Sequence, residues 1–404
     1  MTDRKLRLGI AGLGRGFSVM LPTLALHPRL DVAAAADTRP EALARFEADF
    51  GGTGYLSVDD MCADPALDAI YVATPHQFHA DNTVAAARAG KHVLVEKPMA
   101  LTLAECTAMI DAAAEAGVHL LVGHSHSFDA PIAEARRLIA AGDYGAPQMI
   151  TAMNYTDFVY RPRRPEELDT DKGGGVAFSQ AAHQIDIVRL LAGGMAESVY
   201  ATNGRWDPER PTDGAYSAIL KFAGGATASM VYSGYGRFDS DEFCGWIAES
   251  GKPKDPAAYG AARKALEEIH DPAQEAAVKA ARAYGGTAGQ PLPTRDDVAG
   301  RKHEQFGLFV VSCERADLRP MPDGVMVYGE IEKAFRPLPD PIVPRTEVID
   351  ELYDAVFGGV SPVHTGEWGR ATLEVCLALV ESGRTGKEVA LKYQVPVGDA
   401  GAAA

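Results

Sequence analysis

The sequence predicts an α/β protein of two domains. The first is a doubly wound parallel sheet with helices on both faces, and the second is largely antiparallel. Three observations carry this. Short apolar runs alternate with helical patterns up to residue 123, as βαβ units require. A glycine-rich turn, Gly12-Leu-Gly14-Arg-Gly16, falls between the first run and the first helix. After Gly123 the texture changes to strands joined by turns, with Gly224-Gly225 as a hairpin signal. The length of 404 residues suits two domains.

The elements follow in order. Leu6–Ala11 (LRLGIA) reads as a strand, with a helix from about residue 17 to 26. Leu30–Ala36 is a second strand ending in Asp37, and 69–73 (AIYVA) is a third ending in Thr74-Pro75. A helix over 80–89 stops at Gly90, and strand His92–Val95 ends in Glu96-Lys97-Pro98. A helix over Leu103–Ala116 stops at Gly117, before a strand over 119–122. In the second domain, 149–155, 197–203, 216–222 and 226–233 read as strands. Residues 240–303 form an Ala/Glu/Lys-rich helical insertion, split near Asp271-Pro272, that reads as a surface excursion or a packing arm between subunits. Strands resume at 306–311 and 325–328, and helices follow at 346–357 and 369–382. The expected boundaries are 1–123 for the first domain, 124–393 for the second and 394–404 for a disordered tail.

Composition narrows the function. Hydrophobic residues make up 47% and charged residues 23%, ordinary for a globular chain. No run approaches the roughly 20 apolar residues of a membrane helix, and the N-terminus lacks a signal-peptide pattern, so a soluble cytoplasmic protein is expected. A net charge of −16 argues against nucleic-acid partners. Cys62, Cys106, Cys244, Cys313 and Cys376 are scattered and lack CxxC spacing, which predicts reduced, buried thiols and no structural zinc.

The motifs point to a nucleotide and an anion. Gly12 permits a tight turn, and Gly14 lets backbone approach a pyrophosphate at a helix N-terminus. The third glycine of the usual fingerprint should fall at 17, where Phe17 stands, with Gly16 beside it. Asp37, about 20 residues on, would accept the ribose hydroxyls of NAD and repel a 2′-phosphate, while the nearby Arg39 weakens that preference. Thr74-Pro75-His76-x-x-His79 and Glu96-Lys97-Pro98 lie at carboxyl ends of strands, where open α/β sheets bind ligands. Lys97 is either a surface ion pair or a group that polarises a substrate oxygen.

In GGGVAFSQAAHQID, Ser179, His183 and Asp186 share a helix face. That makes either a catalytic histidine with helpers or a satisfied core histidine. Arg161-Pro-Arg163-Arg164-Pro-Glu166-Glu167 sets three guanidiniums in four residues. They can clamp a carboxylate bidentately or form a solvated patch paired with Glu166 and Glu167. His124 and His126 alternate in an extended segment and with His183 would make a three-imidazole zinc set. Nicotinamide oxidation in such a fold does not require a metal, and none is expected.

AGLGRG, Asp37, ATPHQFH, VEKP and GGG…H..D, in this order, resemble the glucose-fructose oxidoreductase/inositol dehydrogenase (Gfo/Idh/MocA) family over almost the whole chain. The resemblance implies an N-terminal Rossmann domain, a C-terminal α/β domain with an open antiparallel sheet, and NAD(P)-dependent oxidoreduction. It also implies packing of that sheet across a subunit interface, as a homodimer or homotetramer. Lys97 matches the family's catalytic lysine and His183 its active-site histidine. The expected cofactor, NAD rather than NADP, would be held by Gly12, Gly14, Arg15, Gly16, Phe17, Asp37, Thr38, Arg39, Thr74, Pro75, His76, His79, Glu96 and Lys97.

Two departures share a direction. Where sugar-oxidising members carry aspartate four residues before the histidine, this chain has Ser179, and a segment often reading FNRRFD is here 123-GHSHSFD-129. Fewer carboxylates suit an anionic substrate. NYTDFVYRPRRPEELDT…GGGVAFSQAAHQIDIVRLL resembles the branch of phthalate 4,5-cis-dihydrodiol dehydrogenases and related carboxylated cis-dihydrodiol dehydrogenases. It implies oxidation to a catechol carboxylate, with His126, Arg161, Arg163, Arg164 and Ser179 meeting the substrate. The alternatives are a sugar- or inositol-type dehydrogenase acting on a uronate or glycoside, and a non-catalytic NAD(H)-binding regulator.

Overall fold

The structure is a computed structural model that describes residues 4–269, 271–288 and 291–398. It divides into two compact units. The first comprises the chain up to His124 together with Ala280–Ala299 and Ile342–Arg370. The second holds Ser125–Lys279, Gly300–Pro341 and the chain from Ala371. The expected domains are unbroken spans, whereas these units are discontinuous: the insertion over 240–303 is shared between them, and the cut near the C-terminus falls inside one helix.

In the first unit, β1 (Leu6–Ala11), α1 (Arg15–Leu26), β2 (Leu30–Ala36), α2 (Pro40–Phe50), β3 (Thr53–Tyr55), α3 (Val58–Cys62), β4 (Ala69–Val72), α4 (His79–Arg88), β5 (His92–Val95), α5 (Leu103–Ala116) and β6 (Leu120–Val122) follow one another. The sheet order is β3-β2-β1-β4-β5-β6, every pair parallel. The order reverses between β1 and β4, so the carboxyl ends of those two strands open a crevice suited to a ligand. α2, β3 and α3 have no counterpart in the sequence reading. β3 has only three residues, none buried, so it lacks the apolar run that marks a strand.

Local signals set the helix ends. Thr102 Oγ1 accepts the Glu105 amide at 3.2 Å while Glu105 Oε2 accepts the Thr102 amide at 2.9 Å, a reciprocal cap that starts α5. Gly117, left-handed at φ 67°, ends it. Phe17 is fully buried against Phe50, its ring centroid 6.2 Å away. Truncation to alanine there would cost about 3–5 kcal/mol.

The second unit contains α6 (Ala130–Ala140), β7 (Pro147–Tyr155), α7 (Val176–Ser179), α8 (Ala181–Ala192), β8 (Ala196–Gly204), β9 (Ala215–Phe222), β10 (Thr227–Ser233), α9 (Ala261–Glu267) and α10 (Pro272–Ala281). A short α11 (Arg295–Val298) belongs to the first unit. The second unit resumes with β11 (Leu308–Cys313), β12 (Ala316–Met321), β13 (Gly324–Gly329) and β14 (Lys333–Pro337). α12 (Thr346–Tyr353) returns to the first unit, α13 (Gly366–Thr385) crosses the cut, and β15 (Val389–Ala390) is the last strand.

The second sheet has nine strands in the order β14-β13-β12-β11-β7-β10-β9-β8-β15. Only the β10–β7 pair is parallel, so the sheet is mixed but mostly antiparallel. α8 packs on β7 and β10, and α6 on β12 and β13. Burial alternates along β9, and the opposite face carries Met149, Tyr200 and Ile219 exposed.

The tail expected over 394–404 does not start at Gln394. Gln394 Oε1 accepts from Arg189 Nε at 2.9 Å, and its amide donates to Glu374 and to the Ala371 carbonyl, both at 2.9 Å. Residues 399–404 lie outside the described residues. All five cysteines are buried free thiols, as expected, and burial raises the Cys106 and Cys244 pKa to about 12. No helix among the described residues is long and apolar enough to cross a membrane.

Candidate active site

In the first unit, the turn after β1 is built for close backbone approach. Gly12 has φ 95°, and a Cβ there would lie 3.0 Å from the Ala73 carbonyl and Thr74 backbone. Gly14 caps α1 without a side-chain bond, which leaves the helix N-terminus to a ligand, and Arg15 is exposed on its first turn. A Cβ on Gly16 would come 3.2 Å from Glu96 Cγ. Gly16 therefore supplies the close helix-to-strand packing of the third fingerprint glycine, displaced by one residue, and Phe17 is a core side chain.

Asp37 stands at the carboxyl end of β2. Its Oδ2 accepts the Leu13 amide at 2.8 Å and Arg39 Nη2 at 3.2 Å, while Oδ1 accepts the Arg39 amide at 2.9 Å and Nε at 3.0 Å. The carboxylate and guanidinium form a fork at the place where a ribose would sit. The backbone-lined turn, open helix terminus and terminal acid fit a dinucleotide. Thr38 follows directly on the chain.

The strand-end loops after β4 and β5 are clipped together. His79 is fully buried, its Nδ1 3.0 Å from the Pro98 carbonyl and its Nε2 2.9 Å from the Thr74 carbonyl. Burial lowers its pKa and outweighs the carbonyls, which favour the charged ring. His79 thus holds Thr74 and the Glu96-Lys97-Pro98 loop rather than facing a ligand; expected among the cofactor contacts, it acts through these loops. Pro75 and His76 are exposed beside it, the His76 ring 5.4 Å from His79. Glu96 accepts a hydrogen bond from the buried Tyr71 hydroxyl, and burial pushes its carboxyl up despite Tyr71, Lys97 and Arg345. Lys97 follows in the same loop, half-buried.

In the second unit, His126 and His183 meet edge to face with ring centroids 4.8 Å apart, both against Phe306 at 5.0 Å. Asp129 Oδ2 accepts from His126 Nδ1 at 2.7 Å, and Glu249 lies 3.5 Å from His126 Nε2. Burial alone would discharge the ring, but Asp129 and Glu249 raise its pKa to about 9, so His126 is an imidazolium at neutral pH. His126, Asp129 and Glu304 also bring nitrogen and oxygen donors within 4.8 Å of one another. The 2.7 Å contact within that group is a charge-paired hydrogen bond.

The helix expected through Ser179, His183 and Asp186 is broken at Gln180 (φ −121°), which separates α7 from α8. Ser179 Oγ donates to the Gly175 carbonyl at 2.5 Å, within its own turn. Asp186 accepts from Ser127 and, at 2.8 Å, from Thr372, anchoring α8. His183 is buried within the aromatic and charged cluster.

The three arginines separate. Arg161 is partly exposed; its Nε donates to Asp157 at 2.9 Å, and Glu249 and Asp157 favour its charged form. Arg163 lies 3.6 Å over the Phe158 ring and donates to the Phe158 carbonyl at 2.9 Å. Its amide donates to Glu275 at 2.5 Å, and Glu275 is paired at 2.9 Å with buried Arg210. Arg164 pairs with Glu166 at 3.2 Å and Glu167 at 3.7 Å, the solvated patch foreseen as the alternative. Arg161 shares Glu249 with His126. Sequence reasoning missed Glu249 and Phe306, which reach the site from positions distant in the chain with no local motif to mark them.

A doubly wound parallel sheet with a glycine turn after its first strand and an acid at the end of its second fits a dehydrogenase of Rossmann type. The chain belongs to the Gfo/Idh/MocA oxidoreductase family. Residues 6–124 match its "oxidoreductase family, NAD-binding Rossmann fold" and residues 132–244 its C-terminal domain. The chain is 46% identical to the 1-carboxy-3-chloro-3,4-dihydroxycyclohexa-1,5-diene dehydrogenase of Comamonas testosteroni, over 94% of this chain and 95% of the relative. A dehydrogenase from Bordetella bronchiseptica RB50 of solved structure superposes with a TM-score of 0.88 at 42% identity, covering 96% of this chain and all of that one. The Bordetella pertussis WlbA dehydrogenase, solved with NADH and UDP-GlcNAcA, shares the fold with a TM-score of 0.66 at 23% identity, covering 96% and 99%. The chain is an oxidoreductase of the CH–OH-oxidising type, which removes the regulatory alternative.

Proposed function

We propose that this enzyme oxidises a carboxylated cis-dihydrodiol of the phthalate type to the corresponding catechol carboxylate, with NAD as acceptor, in aromatic degradation. The observation that carries the reading is the full-length likeness to a dehydrogenase whose named substrate is a carboxylated dihydroxycyclohexadiene. The cationic His126 and Arg161 of the second unit support it, because both suit a substrate carboxylate.

Gly12, Gly14, Asp37 and the helix terminus of α1 would hold the cofactor, which supplies the hydride acceptor when bound. Lys97 and His183, the positions marked by the family resemblance, take the hydroxyl proton and stabilise the alkoxide. Arg161 and His126 orient the carboxylate, and loss of hydride and proton yields a dienone that tautomerises to the aromatic ring. Exposed Met149, Tyr200 and Ile219 on the sheet support a homodimer or homotetramer. NADH formation at 340 nm from a panel of carboxylated dihydrodiols, uncharged dihydrodiols and sugars tests the reading. Turnover confined to sugars would replace it with the sugar-dehydrogenase alternative.

A further inference from the structure

Part of the helical insertion belongs to the cofactor-binding unit. Residues Ala280–Ala299 fold with it, and Tyr284 is the anchor. The Tyr284 side chain is buried, its ring 4.8 Å from Phe17 in edge-to-face contact and 4.5 Å beneath the Arg45 guanidinium. Its hydroxyl donates to Asp49 Oδ2 at 2.7 Å, and its amide donates to Ser18 Oγ at 3.2 Å. Gly285, at φ 76°, lies flat on α2, where a Cβ would come 2.8 Å from Ala42 Cα. Five contacts thus pin one residue and its neighbour to α1 and α2.

The carbonyl of that residue has its own use. It accepts from Arg39 Nη1 at 3.2 Å. The other face of the same guanidinium is held by Asp37, through Nε at 3.0 Å and Nη2 at 3.2 Å, and by the Leu13 carbonyl through Nη2 at 2.9 Å. Arg39 therefore has four of its five N–H groups committed, across the glycine turn, the end of β2 and the Tyr284 segment. A guanidinium fixed in this way presents no free fork to a phosphate, and its charge is offset by Asp37.

We propose that the Tyr284 segment is a specificity strap. It holds Arg39 folded onto Asp37 and Leu13, and so denies that side chain to the 2′-phosphate of NADP. The preference for NAD then depends on the strap as well as on the Asp37 carboxylate. This inference rests on the reading that the nucleotide binds at Gly12, Gly14 and Asp37.

The test is direct binding of NADH and NADPH, by fluorescence, to the enzyme and five variants. Tyr284→Ala removes the ring and hydroxyl anchors. Asp49→Ala, at a partly exposed position on α2, removes the acceptor of the hydroxyl and the ion partner of Arg45 but leaves the ring in place, and keeps the test alive if the first variant fails to fold. The strap predicts that either variant shifts the Kd ratio toward NADPH, by up to about tenfold, the order of one hydrogen bond to a charged group. It also predicts that the shift disappears when Arg39→Ala is added. A shift of more than threefold that vanishes without Arg39 supports the proposal. A shift of threefold or less in every folded variant, or one that survives Arg39→Ala, overturns it. Asp37→Ala separates the underlying reading: if it changes binding of neither nucleotide, the site itself is misassigned, whatever the strap variants do.

Discussion

His126 and His183 stand edge to face, 4.8 Å apart, and Asp129 Oδ2 accepts from His126 Nδ1 at 2.7 Å. The Asp129 bond favours the charged form of His126 and sets that ring beside His183. Its raised pKa has a consequence for stability. A histidine whose folded pKa exceeds its unfolded value near 6.5 stabilises the fold fully below that value and loses the contribution as pH climbs through the folded pKa. Tm should therefore fall between about pH 6.5 and 9.5, with about 3 kcal/mol as the upper bound for this group. Scanning calorimetry of wild type and His126→Gln checks it, since the variant should lose that part of the pH dependence.

Lys97→Ala should reduce kcat by about 10²–10⁴-fold, the usual cost of one positioned acid–base group. Nicotinamide nucleotide affinity should stay within threefold, because the glycine turn and Asp37, proposed to hold the nucleotide, lie on other strand ends. A variant with more than half the wild-type kcat would remove Lys97 from the chemistry.

The arginines should behave unequally. Arg164 pairs with two glutamates in solvent, so Arg164→Ala should change kcat/KM by less than about 1 kcal/mol. Arg161→Ala should lower kcat/KM for a carboxylated dihydrodiol relative to its uncharged parent by more than threefold, mainly through KM. Equal ratios in the two variants would assign Arg161 to the surface patch as well.

Glu275→Ala should destabilise the protein by about 3–5 kcal/mol, because it leaves the buried Arg210 guanidinium without its carboxylate. Urea denaturation measures this, and a loss below 1 kcal/mol would mean that water replaces the pair.

Light scattering should give a mass of at least two chains of 42.9 kDa at micromolar concentration. A monomer would leave the exposed sheet face without the expected cover.

Much of the first unit is legible in the sequence because its signals are local. The βαβ alternation, the Gly12 turn and Asp37 all lie within a few residues of what they determine. Gly16 was the exception: its packing on Glu96 joins residues 80 apart, and the fingerprint spacing alone misplaced the third glycine. Strands β12 and β14 escaped because alternation in β12 includes Arg319 and Pro320, and the edge strand β14 is exposed throughout. The histidine cluster was half legible. His183 could be found from its motif, but Glu249 and Phe306 are brought to His126 only by the second sheet and the loops around it. Ser179 and Asp186 shared a face on paper, and the break at Gln180 gave them separate duties. The insertion looked like a surface arm, whereas Glu275 and Tyr284 bind it into the two units separately.

The central claim is tested most directly by kcat/KM with NAD+ for the cis-dihydrodiol of phthalate, set against an uncharged cis-dihydrodiol and myo-inositol under identical conditions. The account predicts at least a hundredfold preference for the carboxylated diol, with a catechol carboxylate as product. Equal or greater efficiency with the uncharged diol or with inositol would contradict it.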